Sequence, residues 1–204
     1  QIAAMTELDM DSVDAIAVSG GPGSFTGLRI GSATAKGLGL ALKKPLIHVP
    51  PLDAMAWNLY GASGLICPVM DARRNQVYTG IYRFEDHKLV TVEAQMAVPM
   101  MEMIDKLNER GEEVIFLGDG VPVFAKMIQE NLKVPYSFAP AHVNKQRAAA
   151  VAALGALYAK EGKVVTAMEH VPEYLRVSQA ERERAQKLKE QEAAGEAAKN
   201  EVQP

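Results

Sequence analysis

Residues 19–42 read SGGPGSFTGLRIGSATAKGLGLAL. The apolar run Ala15, Ile16, Ala17 and Val18 leads in, a glycine-rich turn follows, and a helix-length segment opens directly from it. Buried strand, tight turn and helix in that order open an α/β unit. Within the helix Gly27, Gly31, Ala35 and Gly39 recur at every fourth residue. Positions four apart lie along one side of a helix, so the spacing predicts a side-chain-poor ridge about four turns long. Each interior glycine costs roughly 1 kcal/mol of helix propensity relative to alanine. A helix that carries Gly27, Gly31, Gly37 and Gly39 is expected to have another backbone packed close against it.

Outward from this stretch, Leu46 to Val49 forms a second short strand, stopped by Pro50 and Pro51, and Leu52 to Tyr60 is helical. Strand, helix, strand, helix predicts parallel winding. Leu65 to Met70 is a third apolar strand that ends in Asp71-Ala72-Arg73-Arg74-Asn75. Gln76 to Phe84 alternates as a half-exposed strand, Glu85-Asp86-His87-Lys88 is a hairpin turn, and Leu89 to Ala97 is the return strand. Then follow a helix over Met100 to Asn108, a strand over Val114 to Leu117, the turn Gly118-Asp119-Gly120 and a helix over Val123 to Asn131. Tyr136 to Phe138 can add a short strand, and Lys145 to Lys160 is an alanine-rich helix. A division near Gly61 to Gly64 gives one α/β unit over 1–62 and a second over 63–177. Beyond it, 178–204 is a charged helical or disordered tail that opens on the capping box Ser178-Gln179-Ala180-Glu181.

The 204 residues suit one large domain or two small ones, and 48% hydrophobic residues suffice for a core. A net charge of −3 gives no electrostatic footprint for wholesale nucleic-acid binding. The single cysteine, Cys67, excludes an internal disulfide and fits a reducing, cytoplasmic setting. No apolar run approaches the roughly 20 residues that span a bilayer. Residue 1 is Gln, and Gln1 to Met5 reads as the end of a helix already under way, so a preceding segment is expected.

Several residues invite chemistry. The glycine-rich turn reads either as a tight strand-to-helix connection capped by Ser24 or as an anion or nucleotide contact at Gly23 and Ser24. It lacks the lysine of a Walker A loop, and the third glycine of a dinucleotide fingerprint is displaced from position 26 to Gly27. The isolated His48, His87, His142 and His170 offer no two-ligand helical spacing, so no metal site is expected. Cys67 sits inside an apolar strand, where free cysteine is inert core. Asp71 ends a strand, where α/β sites gather, but an Asx-type turn with a charge pair explains it equally. Asp119 reads as a helix N-cap. His170 to Arg176, HVPEYLR, is a strap docked on the body or a partner contact.

Taken together, these motifs resemble the bacterial TsaB (YeaZ) family of tRNA threonylcarbamoyladenosine biosynthesis proteins. The likeness rests on GGPGSFTGLRIGSATAKGLGLAL, then Asp71-Ala72-Arg73-Arg74 before Val77-Tyr78, then Leu117-Gly118-Asp119-Gly120, then Pro172-Glu173-Tyr174-Leu175-Arg176. It runs from about Asp9 to Arg176. The resemblance implies an actin-like or Hsp70-like ATPase (ASKHA) architecture of two α/β subdomains, the first incomplete here. About 45 residues would precede Gln1 on the family pattern, which also completes a sheet otherwise short of strands. It further implies a relative of the glycoprotease and threonylcarbamoyltransferase group without that group's catalytic equipment. The chain would be a non-catalytic subunit for modification of tRNA position 37. It would pair with itself or with the transferase TsaD through the helix from Phe25, recruit the ATPase TsaE, and meet tRNA only through the complex. No cofactor is expected on this subunit alone, with ATP or ADP held in the complex. Partner packing is expected at Phe25, Gly27, Leu28, Arg29, Gly31, Ala35 and Gly39. The glycines and Ala35 would allow close approach, Phe25 and Leu28 apolar contact, and Arg29 a polar rim. The alternative is a metal- or ATP-dependent hydrolase or peptidase of the same superfamily.

Overall fold

Two sheets organise the chain, and the local signals place most of their strands. The computed structural model describes residues 5–175; the expected helix end over 1–4, Arg176 and the charged tail lie outside the described residues. Strand β1 (Ile16–Ser19) runs into helix α1 (Phe25–Leu42), which returns the chain to β2 (Leu46–Val49), parallel to β1 in the register Ile16 with Leu46 through Ser19 with Val49. Helix α2 (Pro51–Trp57) starts on a proline, whose fixed φ suits the first helical turn. The second sheet contains β3 (Leu65–Asp71), β4 (Gln76–Glu85), β5 (Lys88–Pro99), β6 (Val114–Leu117) and β7 (Tyr136–Phe138), in the order β5-β4-β3-β6-β7. Pairing is antiparallel from β3 through β4 to β5 and parallel from β3 through β6 to β7. Helices α3 (Met100–Arg110) and α4 (Val121–Asn131) follow β5 and β6, and α5 (Ala148–Lys160) follows β7.

Every residue of β3 from Leu65 to Met70 is buried, as an apolar central strand covered on both faces must be. Its neighbour β4 was expected to be half-exposed; instead Thr79, Gly80, Ile81 and Tyr82 are all buried. The reason is that each face has its own cover. Val77 and Ile81 pack with Met100, Met103, Ile104 and Leu107, the inward stripe of α3, while Tyr82 and Tyr78 pack with Leu52, Met55 and Ala56 of α2. The β4–β5 hairpin turns on Asp86 and His87, both at positive φ as a tight two-residue turn requires.

The turn at Gly118-Asp119-Gly120 corrects the expected helix cap. The N-cap of α4 is Gly120, with no side-chain cap, and Asp119 stays exposed. Helix α4 begins two residues earlier than predicted because Pro122 fits its first turn. The glycines answer to the strand beneath: a Cβ on Gly118 would stand 2.1 Å from the Val69 carbonyl oxygen.

Helix α5 departs most from the expected division. It belongs to 63–177 along the chain yet packs on β1 and β2, with Ala150 and Leu154 against Ile47 and Val49. A Cβ on Gly155 would stand 2.7 Å from Ala17 Cβ, so helix and strand touch almost backbone to backbone. Beyond α5, Val165 pairs with Leu46, adding a bridge to the first sheet. Among the described residues β1 has one paired edge, and a groove of about 820 Å³ lined by Ala15, Ala17, Val151 and Gly155 runs beside it.

Helix α2 is tied to α5 by Tyr158, whose hydroxyl donates to Asp53 Oδ2 at 2.9 Å. Burial raises the Asp53 pKa against the opposing pull of its hydroxyl partners and Lys163. A carboxylate raised on folding favours the folded state while protonated, and that contribution is lost as pH rises through its folded pKa. Asp53→Asn keeps an acceptor for Tyr158 without the buried charge. It is expected to melt at higher temperature than the parent at pH 7.5, with the gap closing towards pH 4. A lower melting temperature at pH 7.5 would overturn this reading of Asp53.

Candidate protein-docking face and its adjoining cleft

Helix α1 begins at Ser24, whose Oγ accepts the Gly27 N–H at 3.3 Å, and ends at Lys43 in the left-handed conformation. Of the ridge residues, Gly27 is exposed, Gly31 is half-buried, and Ala35 and Gly39 are buried in the chain's own interior. Ala35 packs with Val18, Leu46 and Ala167, and a Cβ on Gly39 would lie 3.1 Å from the Lys44 carbonyl oxygen. This corrects the expected docking set. A step of four residues turns a helix by about 40° beyond a full turn, so a strict four-residue row winds about 120° between positions 27 and 39. The row starts outside and finishes inside. Leu28 is likewise only 7% exposed, so it anchors α1 to the body rather than facing a partner.

The inward row is Leu28, Ser32, Ala35 and Gly39, at spacings that keep to a narrow arc. Opposite it stands Ile30 (64% exposed), with Leu38 (42%) and Leu40 (59%) on the two flanks of the outer face and the small exposed residues Ala33, Thr34, Gly37 and Ala41 between them. This apolar outer stripe was missed by counting in fours; reading the helix at its true period of 3.6 separates the two faces. At the start of the helix, Phe25 is 42% exposed, with its ring 5.3 Å from that of Tyr174 and the Arg29 guanidinium 4.3 Å from its centroid. Phe25, Arg29 and Gly27 therefore stand at the surface as expected, with Gly31 at its margin.

Beside this end of α1 lies a cleft of about 780 Å³, where all four sequence motifs converge. Gly23 and Ser24 line one wall, Asp71, Arg73 and Arg74 another, Asp119 a third, and Tyr174 of the strap the fourth. Asp71 forms the Asx-type turn: its Oδ1 accepts the Arg73 N–H at 2.8 Å, and its Oδ2 accepts Arg73 Nη1 at 3.1 Å. The strap is docked, as one of its two sequence readings has it. The Glu173 N–H donates to the Gly20 carbonyl at 2.7 Å, and a Cβ on Gly21, at φ +115°, would meet the Glu173 carbonyl oxygen at 2.2 Å.

Cys67 is fully buried beside the Thr79 hydroxyl, and burial pushes its thiol up to about 12. Among the described residues no three of His, Cys, Asp and Glu stand together as a metal-holding group. Among the same residues no helix is long and apolar enough to cross a membrane.

Comparison with known proteins matches this arrangement to one family. The family model described as TsaD, tRNA N6-adenosine threonylcarbamoyltransferase, matches residues 1–184. A tRNA threonylcarbamoyladenosine biosynthesis protein TsaB from Bacillus subtilis is 36% identical over 166 residues, 81% of this chain and 71% of that protein. The chain belongs to the TsaB family. Escherichia coli TsaB is 33% identical over 115 residues, 54% of this chain and 49% of that protein. Two Pseudomonas aeruginosa crystal structures share the fold. One, described as similar to peptidase YeaZ, superposes with a TM-score of 0.70 at 24% identity, covering 86% of this chain and 79% of that one. The other, YeaZ itself, gives 0.68 at 25% identity, with 85% and 78% covered. The TsaB (YeaZ) resemblance read from the sequence motifs is thereby shown, and the α/β fold with its mixed sheet is the one YeaZ adopts.

Proposed function

We propose that the chain is a non-catalytic subunit in the biosynthesis of threonylcarbamoyladenosine at tRNA position 37, and that it docks on TsaD through the outer face of α1. The observation that carries this reading is the exposed outer face of α1, with Ile30 at its centre, Leu38 and Leu40 on its flanks, and residues between them small enough to admit another helix closely. Names of the TsaB relatives support the pathway, and the match of this chain to the family model described as TsaD supports a role in the same modification. On the same reading the two α/β subdomains follow the ASKHA plan. A second copy of the chain can occupy the α1 face when TsaD is absent, TsaE joins the assembled pair, and tRNA is met in the cytoplasm through the complex. This subunit binds no cofactor alone, and ATP or ADP enters with the complex. Gly23 and Ser24 would then contribute an anion contact at the cleft only as part of that complex.

The test is co-purification of the chain with TsaD, repeated with Ile30→Asp. The parent is expected to retain TsaD and the variant to lose it with no change in melting temperature. A charge in the centre of a packed apolar face costs on the order of 2 kcal/mol or more, at least about 30-fold in affinity. Undiminished retention by Ile30→Asp would remove α1 as the docking face. The alternative, a hydrolase or peptidase, is checked by ATPase and peptidase assays on the purified chain, where turnover by this subunit alone would overturn the non-catalytic reading.

A further inference from the structure

The strap that follows α5 is held in an unusual way. Its upstream part is anchored: Val165 pairs with Leu46, Ala167 is 6% exposed, and Thr166 and Glu169 close a small turn through hydrogen bonds at 2.8 to 3.2 Å. Downstream the apolar side chains are not seated, for Val171 is 68% exposed and Tyr174 42%. The one deeply buried side chain of 170–175 is His170, at 2% exposure. Its Nε2 lies 3.2 Å from Ser32 Oγ on the inner face of α1, and its ring centroid is 5.8 Å from that of His48 on β2. The other fastenings belong to Glu173. Its N–H donates to Gly20, and its carboxylate accepts from Gln95 Nε2 of β5 at 2.6 Å and stands 3.9 Å from His48 Nε2. Gly20 makes room for the His48 ring, which would stand 2.1 Å from a Cβ at that position.

We propose that residues 170–175 form a detachable latch keyed by His170, closed over the glycine turn while that imidazole is neutral and released when it takes a proton. Among the described residues no free carboxylate faces His170, and its hydrogen-bond partner is the neutral Ser32 hydroxyl. Helix α1 presents Ser32 and Lys36, β2 presents His48, and the two nearby carboxylates are engaged elsewhere: Glu169 with Thr166, Glu173 with Gln95 and His48. From α2, Asp53 acts on His48 rather than on His170. Burial, then His48 and Lys36, accordingly lower the His170 pKa. A histidine whose pKa is lowered in the closed state favours closure while neutral, and that preference is lost as pH falls below about 6.5, where the released imidazole takes its proton. Besides His170 the segment is held by Glu173 and by the Tyr174 ring against Phe25, and neither residue belongs to the packed core, so the loss falls on the latch and not on the whole fold. Release carries Tyr174 away from Phe25 and uncovers the Gly20–Ser24 turn at the mouth of the cleft. The latch stands on this geometry whether or not α1 docks a partner.

Amide exchange followed by NMR on the full chain tests it, with the Glu173 N–H as reporter, the Phe116 N–H in the second sheet as control, and rates corrected for intrinsic exchange. Glu173 protection is expected to fall by up to about tenfold per pH unit from about pH 6.5 downward, until the pH at which the His170 ring of the closed protein titrates. The Phe116 protection should hold. His170→Gln keeps a partner for Ser32 without a titrating ring, and it should abolish the pH dependence. A Glu173 protection that does not change with pH, a fall that begins only below the titration of the His170 ring, or the same fall in His170→Gln would each overturn the latch.

Discussion

Gly31→Leu is expected to leave the fold intact and to cut association with TsaD by at least about 30-fold, the equivalent of roughly 2 kcal/mol. A Cβ at Gly31 meets nothing within 4 Å inside the chain. Leucine there is also a better helix former by roughly 0.8 kcal/mol, so the melting temperature should hold or rise. Outside the chain, a branched four-carbon side chain at the margin of a small-residue face holds an approaching backbone away. The contrast is Gly39→Leu, where Lys44, Leu46 and Ala167 already crowd the position and unfolding is the expected result. Thermal melts of both variants, with TsaD binding measured on whichever remains folded, decide the matter. Unimpaired binding by a folded Gly31→Leu would place the partner elsewhere. A drop in melting temperature would show that Gly31 packs within the chain.

Gly118→Ala is expected to destabilise the chain by about 2–5 kcal/mol and lower Tm by about 5–15 °C. Two costs combine. At φ +113° an L side chain is strained by roughly 1–2 kcal/mol. The added methyl would also stand 2.1 Å from the Val69 carbonyl oxygen, and relieving such overpacking typically costs about 1–3 kcal/mol. Gly61 separates the two: its φ is +77° but a Cβ there meets nothing within 4 Å, so Gly61→Ala should show the backbone cost alone. Urea unfolding of the pair provides the measurement, and equal losses would mean that β3 yields to the methyl at Gly118.

Local signals made the second sheet legible. The apolar run of β3 and the turn at Asp86-His87 each occupy a few consecutive residues, and so does the α3 stripe Met100, Met103, Ile104 and Leu107. What escaped was set by partners distant in the chain. The burial of Thr79 to Tyr82 on both faces of β4 depends on α2 as well as α3, and no pattern within 76–85 announces two covers. The placement of α5 on the first sheet follows from contacts with Ala17 and Val49, more than a hundred residues earlier. His170 was legible as the start of a strap but not as its buried key, because its partner Ser32 is 138 positions away. Helix α1 itself was legible, but which of its small residues face outward was not. Small residues at 27, 31, 35 and 39 follow a four-residue rhythm, whereas burial follows the helix period and turns Ala35 and Gly39 inward.

The position of α5 also bears on how the protein is made. The second sheet is continuous in sequence, from Leu65 to Phe138, and its pairing can begin as those residues leave the ribosome. The first sheet cannot be closed at that stage. Ile47, Val49 and Ala54 wait for Ala150 and Leu154, so the earlier half of the chain keeps an uncovered apolar face until synthesis passes Lys160. The packing around β1 and β2 is thus completed after the second sheet has been synthesised, and Ile47, Val49 and Ala54 stay uncovered by α5 for that interval.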